Sequence, residues 1–352
     1  MMKDSLVTLM RLRLDLEVKM KTKMNIESLV PYEVMTYKNV IRLDANESAY
    51  NMDVNIFKSL NRYPDDRASE LKNKLADYLK VFPSELVIGN GSSEMIELLF
   101  RTFIEKGDKV LGFENSFSMY KVFSTIYEAD YITVSNDYVM DMDELIRTAI
   151  YEQPKMIMIC NPNNPTGYLI SKCDIERLLK MYDGLVVVDE AYIEFSEGSM
   201  LNRLDTYDNL VILRTFSKAW GLAGARVGYM IASENIVSSV LKVKAPYNLN
   251  ALSQQAALYA LDNKETMAEN VRAIILEREI MERTLDQLDI KAYKSSANFI
   301  YFKGQDDLYE ALLKKGVLVR FFGAGRFRVT IGKKEENESF VKALKEALVE
   351  IN

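Results

Sequence analysis

The chain has 352 residues, of which 48% are hydrophobic and 27% charged, and it carries a net charge of −6. That is the composition of an ordinary soluble protein, long enough for one large core and a second, smaller domain. There is no basic block or basic–aromatic interleaving, so nucleic acid is not an expected partner. The only cysteines, Cys160 and Cys173, match neither a disulfide framework nor a zinc pattern. A reducing cytoplasm is therefore expected, with no metal. Histidine is absent, which excludes His-based triads, His-ligated zinc and an imidazole base. Acid–base work falls to Lys, Asp, Glu, Tyr or Cys.

Residues 1–23 mix basic and apolar side chains at roughly helical spacing. They lack the long apolar stretch and cleavage site of a secretory signal, and they are too short in apolar run to span a membrane. They read as an extension without assigned function, and Met24 offers an alternative start. Residues 24–50 read as an N-terminal arm containing Ile41–Ser48, IRLDANES. A turn follows at Pro64, then a helix over Ala68–Lys80 with Leu71, Leu75, Tyr78 and Leu79 on one side. Strands and helices then alternate. Strands are expected at Leu86–Ile88, Val110–Phe113, Tyr131–Val134, Met156–Cys160, Leu185–Val188, Leu210–Leu213 and Val227–Ile231. Helices are expected at Met95–Phe103, Ser118–Glu128, Met140–Ala149 and Ser171–Tyr182. Short apolar strands separated by helices predict an α/β fold with a mostly parallel sheet covered on both faces. This large domain is placed at 51–250. From 251 to 352 the texture changes to a long charged helix, Gln254–Leu288, short strands at Phe299–Phe302, Leu318–Arg320 and Phe327–Ile331, and a last helix at Ser339–Leu348. This reads as a smaller α+β domain.

In parallel sheets ligands bind beyond the carboxyl ends of the strands, and the polar clusters of this chain lie at those ends. Lys218 follows the strand at Leu210–Leu213, where a desolvated amine becomes a usable nucleophile. Gly89–Glu94, GNGSSE, opens a helix and presents backbone N–H groups with the hydroxyls of Ser92 and Ser93, as an anion requires. Thr215, Ser217 and Arg226 add hydroxyls and a guanidinium suited to phosphate. Asp189 directly follows buried apolar residues, where a carboxylate is costly unless paired, for instance with a cationic ring nitrogen. Asn164, in NPNNPTG, and Tyr192, in DEAY, can hydrogen-bond a ring oxygen. Each signal alone has an ordinary structural explanation. Together they match the parts of pyridoxal phosphate: aldehyde, phosphate, phenolate oxygen and pyridinium nitrogen.

LDANES, NRYPDD, GNGSSEMIELL, NPNNPTG, VVVDEAYIEF, RTFSKAWGLAGARVGY, SSANFIYF and FRVTIG occur in order from about residue 24 onward. The chain thereby resembles the fold-type I pyridoxal-phosphate-dependent aminotransferases, and within them the histidinol-phosphate aminotransferase family. The resemblance implies a seven-stranded large-domain sheet with a smaller C-terminal domain. It implies amino transfer between L-histidinol phosphate and 2-oxoglutarate, a step of histidine biosynthesis. It implies that Lys218 holds the cofactor covalently. Asp189 would keep the ring protonated, and Ser92, Ser93, Thr215, Ser217 and Arg226 would grip its phosphate. Phe117 occupies the position of the residue that stacks on the ring. Asn46 lies where the arm lines the substrate site. Tyr63 matches a tyrosine that reaches the neighbouring subunit's cofactor phosphate, implying a homodimer with shared active sites. Arg328 matches the substrate-anion arginine and Arg320 a second arginine near the substrate. The chain departs from the family pattern at Phe321, where an acidic residue is common, and in the compact segment between Arg320 and Arg328. The same apparatus serves aromatic aminotransferases and threonine-phosphate decarboxylases. A non-catalytic regulatory protein of this fold would show a damaged lysine or aspartate or an attached DNA-binding domain, and neither is seen.

Overall fold

A computed structural model describes residues 39–50 and 60–351. The 1–23 extension and the arm before residue 39 lie outside the described residues. Among the described residues, no helix is long and apolar enough to cross a membrane.

Strand β1 is Ile41–Leu43 and helix α1 is Ser69–Leu79. The alternating region follows as β2 (Leu86–Gly89), α2 (Ser92–Phe103), β3 (Lys109–Phe113), α3 (Met119–Ile126), β4 (Asp130–Val134), α4 (Met142–Glu152), β5 (Met156–Cys160), α5 (Lys172–Met181), β6 (Leu185–Asp189), β7 (Leu210–Thr215), β8 (Gly228–Ala232) and α6 (Glu234–Leu241). Strands β2 to β8 form one seven-stranded sheet in the order β2-β8-β7-β6-β5-β3-β4. β8 pairs antiparallel with both its neighbours, and the other pairings are parallel. The fold is that of the fold-type I pyridoxal-phosphate enzymes.

The central strands are largely apolar because both faces are covered. β5 and β7 are buried along their whole length. Their side chains still alternate. Ile157, Ile159, Val186, Val188, Leu210 and Ile212 enter one core. Met156, Met158, Val187, Val211 and Leu213 enter a second on the opposite face. Helix α2 supplies the second core with Met95, Ile96 and Leu99, and α1 and α5 supply the first with Leu75 and Leu178. Each such side chain contributes about 1.5–3 kcal/mol by leaving water. The strand ends are thus carried on a rigid platform.

Helix starts follow local chemistry. The Ser171 hydroxyl accepts from the Asp174 N–H at 3.1 Å and caps α5. Asp141 does the same for α4 through the Glu144 N–H at 2.9 Å. The stretch expected as one long helix at Gln254–Leu288 is two: α7 (Ala251–Asp262) and α8 (Lys264–Gln287). They meet at Asn263, whose backbone leaves the helical region (φ −114°, ψ 35°) and whose side-chain amide donates to Tyr259 O at 2.8 Å. Asparagine competes with helical bonding in this way, and without glycine or proline nearby the break leaves little mark in the sequence.

The remaining elements are β9 (Phe299–Lys303), α9 (Leu308–Lys314), β10 (Val317–Phe321), β11 (Arg326–Thr330) and α10 (Lys334–Ile351). They build a second sheet in the order β1-β10-β11-β9. β1, read from sequence as arm and loop, pairs parallel with β10, Arg42 opposite Leu318. A three-residue strand that finds its partner far along the chain carries no local period to detect.

Gly228 lies opposite Gly89 at the β2–β8 pairing. A methyl group on Gly228 would land on the backbone of Gly91 and Ser92. Gly228→Ala is expected to cost about 2 kcal/mol or more of stability through backbone displacement, read as a lowered urea midpoint with unchanged slope. A midpoint equal to wild type would contradict this packing.

Candidate active site

β7 ends at Thr215, and the chain turns at once through Ser217 and Lys218. Lys218 is half-buried. Its Nζ donates to the Ala45 carbonyl at 3.0 Å and lies 5.7 Å from the ring centroid of Tyr192. Burial is the main force on this amine. Arg328 and Arg226 push in the same direction, Glu47 and Asp189 oppose, and the net result lowers its pKa to about 8.

Asp189 closes β6 on the neighbouring strand and is 3% exposed. Burial pushes its carboxyl up to about 6. The Tyr120 hydroxyl, donating at 2.8 Å, and the Ala191 N–H, donating at 3.2 Å, pull it back. A cation next to this carboxylate would relieve its desolvation. Tyr192 is also buried, and its phenol is pushed up to about 12, mainly by burial. It remains a neutral hydroxyl that accepts from Asn46 Nδ2 at 3.1 Å.

The other end of the site is built for an anion. No side chain caps the start of α2, where Ser92 and Ser93 are the first residues. Thr215 Oγ1 lies 3.0 Å from Ser217 Oγ, and Arg226 Nη1 donates to Ser217 Oγ at 3.2 Å. Gly91 (φ 81°) precedes the helix, and a Cβ there would sit 2.5 Å from Arg226 Nη2. The guanidinium therefore lies directly across the helix start. Backbone N–H groups, hydroxyls and an arginine converge there, with the helix dipole adding positive potential.

The smaller sheet supplies a third side. Arg328, 7% exposed, donates to Asn164 Oδ1 and, at 2.7 Å, to the Asp44 carbonyl. Its guanidinium lies 5.2 Å from the Phe299 ring centroid. Arg320 faces Arg328 in the β10–β11 register and lies 5.9 Å from the Phe322 ring centroid. Asn46, with φ 53° and 1% exposed, is fixed by Thr330 Oγ1, which accepts from its N–H at 2.9 Å and lies 3.1 Å from its Oδ1. Phe117 is half-buried and edge-on to Tyr120 at 5.5 Å between centroids.

These contacts gather Lys218, Asp189, Tyr192, Asn46, Asn164 and Arg328 around one space, with Thr215, Ser217, Arg226 and the α2 start at its anion-binding end. Tyr63 stands apart. It is 81% exposed and stacks on Tyr247 at 4.6 Å. Sequence reasoning missed Tyr120, Thr330 and Asn298, whose amide donates to Asn46 O at 3.2 Å. Tyr120 had a weak signal, three residues after Phe117 at a helix start. Thr330 and Asn298 lie within FRVTIG and SSANFIYF, but nothing in those segments marked them out, since each acts through the arm. It also missed the pair behind the site, where Arg214 Nε and Nη2 reach Glu190 Oε2 at 3.0 and 2.9 Å.

A ligand with a phosphate at one end, a ring oxygen along its side and a cationic nitrogen at the far end fits these donors and acceptors. Pyridoxal phosphate is such a ligand, and it is the cofactor of the enzymes with this fold. The chain belongs to the aminotransferase class I and II family, whose profile it matches over residues 35–344. It is 40% identical over 351 residues to a protein of Thermoanaerobacter pseudethanolicus named histidinol-phosphate aminotransferase, covering 92% of this chain and 100% of that one. It is 41% identical over 342 residues to one of the same name from Ruminiclostridium cellulolyticum, covering 91% and 96%. The crystal structure of histidinol-phosphate aminotransferase from Sinorhizobium meliloti with pyridoxal-5'-phosphate superposes with a TM-score of 0.86 at 22% identity, covering 96% of this chain and 100% of that one.

The lowered pKa of Lys218 has a signed consequence for stability. Its amine titrates at 10.5 when unperturbed and at about 8 in the fold. Below pH 8 the folded protein carries the full cost of a buried ammonium, and this cost fades as pH rises from 8 to 10.5. Cofactor-free Lys218→Met is therefore expected to be more stable than cofactor-free wild type at pH 7, with the gap narrowing by pH 9.5. Denaturant unfolding at both pH values checks this, and a gap that widens would refute it.

Proposed function

We propose that this protein transfers the amino group of L-histidinol phosphate to 2-oxoglutarate, as a step of histidine biosynthesis in the cytoplasm. The observation that carries the reading is a lysine amine lowered to about 8 between a buried carboxylate and a buried arginine, in a chain about two-fifths identical to proteins of that name. Both cysteines are free, consistent with a reducing compartment.

Pyridoxal phosphate supplies an aldehyde that takes up the substrate amine and a protonated ring that accepts the electron pair left when Cα loses its proton. The chain's own residues do the rest. Ser92, Ser93, Thr215, Ser217 and Arg226 hold the phosphate. Asp189, pressed by burial, keeps the proton on the ring nitrogen. Asn164 and Tyr192 orient the ring oxygen, and Phe117 covers the ring face. The Nζ of Lys218 would hold the aldehyde carbon at rest and, once freed, would move a proton from the substrate's Cα to that aldehyde carbon. A depressed pKa gives this amine a usable neutral fraction near neutrality. Arg328, with Arg320, binds the substrate's anionic group, and Asn46 places the arm across it. The large domain, 51–250, carries the cofactor, and the smaller part, 251–352, presents the arginines.

A homodimer with shared sites belongs to the same reading. The exposed aromatic pair Tyr63–Tyr247 is a surface that a second copy would cover, bringing Tyr63 to the partner's cofactor phosphate.

Purified protein treated with borohydride should carry a covalent cofactor adduct that Lys218→Ala lacks. Retention of the adduct in that variant would sink the role of Lys218. Amino transfer to 2-oxoglutarate is expected to be fastest from histidinol phosphate, compared with phenylalanine and threonine phosphate. A large preference for phenylalanine, or carbon dioxide release from threonine phosphate, would replace the substrate assignment. Arg328→Gln is expected to raise KM about tenfold to a hundredfold, the worth of a charge-assisted hydrogen bond.

A further inference from the structure

Arg326 lies two residues before Arg328 on β11, so both side chains leave the same face of the strand. Both reach across to loops of the larger sheet, Arg328 to Asn164 and Arg326 to Asn115. Arg326 is half-buried, and its three nitrogens each hold a protein oxygen. Nε donates to Gly323 O at 3.2 Å, Nη2 to Phe322 O at 3.2 Å and Nη1 to Asn115 Oδ1 at 3.0 Å. The first two acceptors belong to the compact β10–β11 turn. Its residues Gly323, Ala324 and Gly325 all have positive φ (77°, 50° and 66°), a conformation that the alanine adopts at a cost.

Asn115 is not an incidental acceptor. Its carbonyl accepts from Asn163 Nδ2 at 2.9 Å, and its N–H donates to Asn136 Oδ1 at 2.8 Å. Ser116 Oγ donates to Asn163 Oδ1 at 2.9 Å. The loop after β3, which carries Phe117, is thereby joined to the loop after β5, which carries Asn164. Arg326 ties the arginine-bearing hairpin to this joined pair of loops.

We propose that Arg326 is a positioning residue that sets how strongly the site grips a substrate carboxylate or phosphate. It does so by fixing the β10–β11 hairpin, and with it Arg328, over the loops that hold the cofactor ring. Each of its nitrogens already donates to a protein oxygen, and the role assigned to it is to hold Arg328 in place, not to touch the anion. A planar guanidinium spans the three acceptors, and a lysine ammonium at the same place keeps the charge without the fork. The inference rests on Arg328 as the anion-binding arginine.

The test uses full-length protein with bound cofactor and the variants Arg326→Lys, Arg326→Gln, Asn115→Ala and the double variant Arg326→Gln/Asn115→Ala. A borohydride-reducible adduct in each shows that fold and cofactor site persist. Maleate, an unreactive dicarboxylate, is titrated against the cofactor absorption, and steady-state transfer to 2-oxoglutarate is measured beside it. Each single variant is expected to weaken maleate and raise KM for 2-oxoglutarate about tenfold, with kcat within about twofold of wild type. The double variant is expected to be no worse than the singles, the sign of one shared interaction. Wild-type maleate affinity in Arg326→Lys would mean that charge alone matters and would overturn the proposal, as would additive losses in the double variant. Failure of Arg328→Gln to weaken maleate would instead overturn the reading of Arg328. Maleate binding without amino transfer by wild type would overturn the proposed reaction and leave the positioning test decided by the maleate affinities.

Discussion

The amine of Lys218 is held by a backbone carbonyl, that of Ala45, in a space that is short of water and edged by two arginines. A carboxylate at hydrogen-bonding distance would have stabilised the ammonium and raised its pKa. A neutral acceptor leaves desolvation and like charge to outweigh the opposing charges of Glu47 and Asp189. On the adjacent strand the same burial drives Asp189 the opposite way, toward its protonated neutral form. Two ionisable groups of opposite type are thus both pressed toward neutrality by one dry edge. Both gain from a ligand that brings a cationic nitrogen to the acid and a carbon electrophile to the amine.

That edge stays in place because the sheet beneath it is covered on both faces. The alternation of β5, β6 and β7 into two cores leaves the strands little freedom to shift, since a slip of one residue would exchange the faces. The Glu190–Arg214 pair adds a second restraint directly behind Asp189, with Glu190 fully buried and also accepting from Ser199 Oγ and Met200 N–H. Removal of one partner from such a pair leaves an uncompensated charge and costs about 3–5 kcal/mol. Position, more than reactivity, is what most of these residues contribute.

The division of what was legible in the sequence follows range of interaction. The parallel sheet was readable because each strand is a short apolar run bounded by turn residues. The polar clusters were readable because parallel topology sends every strand end to one edge. Lys218, Asp189 and Asn164 could be placed together on that ground, and Arg226 joins them because the antiparallel β8 begins at the same edge. The arm could not. Asn46 owes its place to Thr330 and Asn298, and β1 to β10, and such pairings leave no periodic trace. The break at Asn263 was hidden because one residue of modest helix propensity makes it. The compact segment between Arg320 and Arg328 was visible as a departure from the family pattern. Its physical content, Arg326 folded back onto its own turn, required coordinates.

The arm holds Arg328 and Lys218 by consecutive peptide groups, since Asp44 O accepts from Arg328 and Ala45 O from Lys218. Both contacts restrain the same dipeptide. A substrate anion that draws Arg328 away from Asp44 removes one of the contacts that keep the neighbouring carbonyl against the amine. By the reciprocity of linked equilibria, an amine no longer bonded to Ala45 makes Arg328 easier to capture. Anion binding at Arg328 and release of the Lys218 amine would then share one free-energy term, carried by a single dipeptide far from Lys218 in sequence. In thermodynamic terms, if Arg328 takes the substrate's anion and Lys218 its chemistry, the arm would couple the two as a cooperative element.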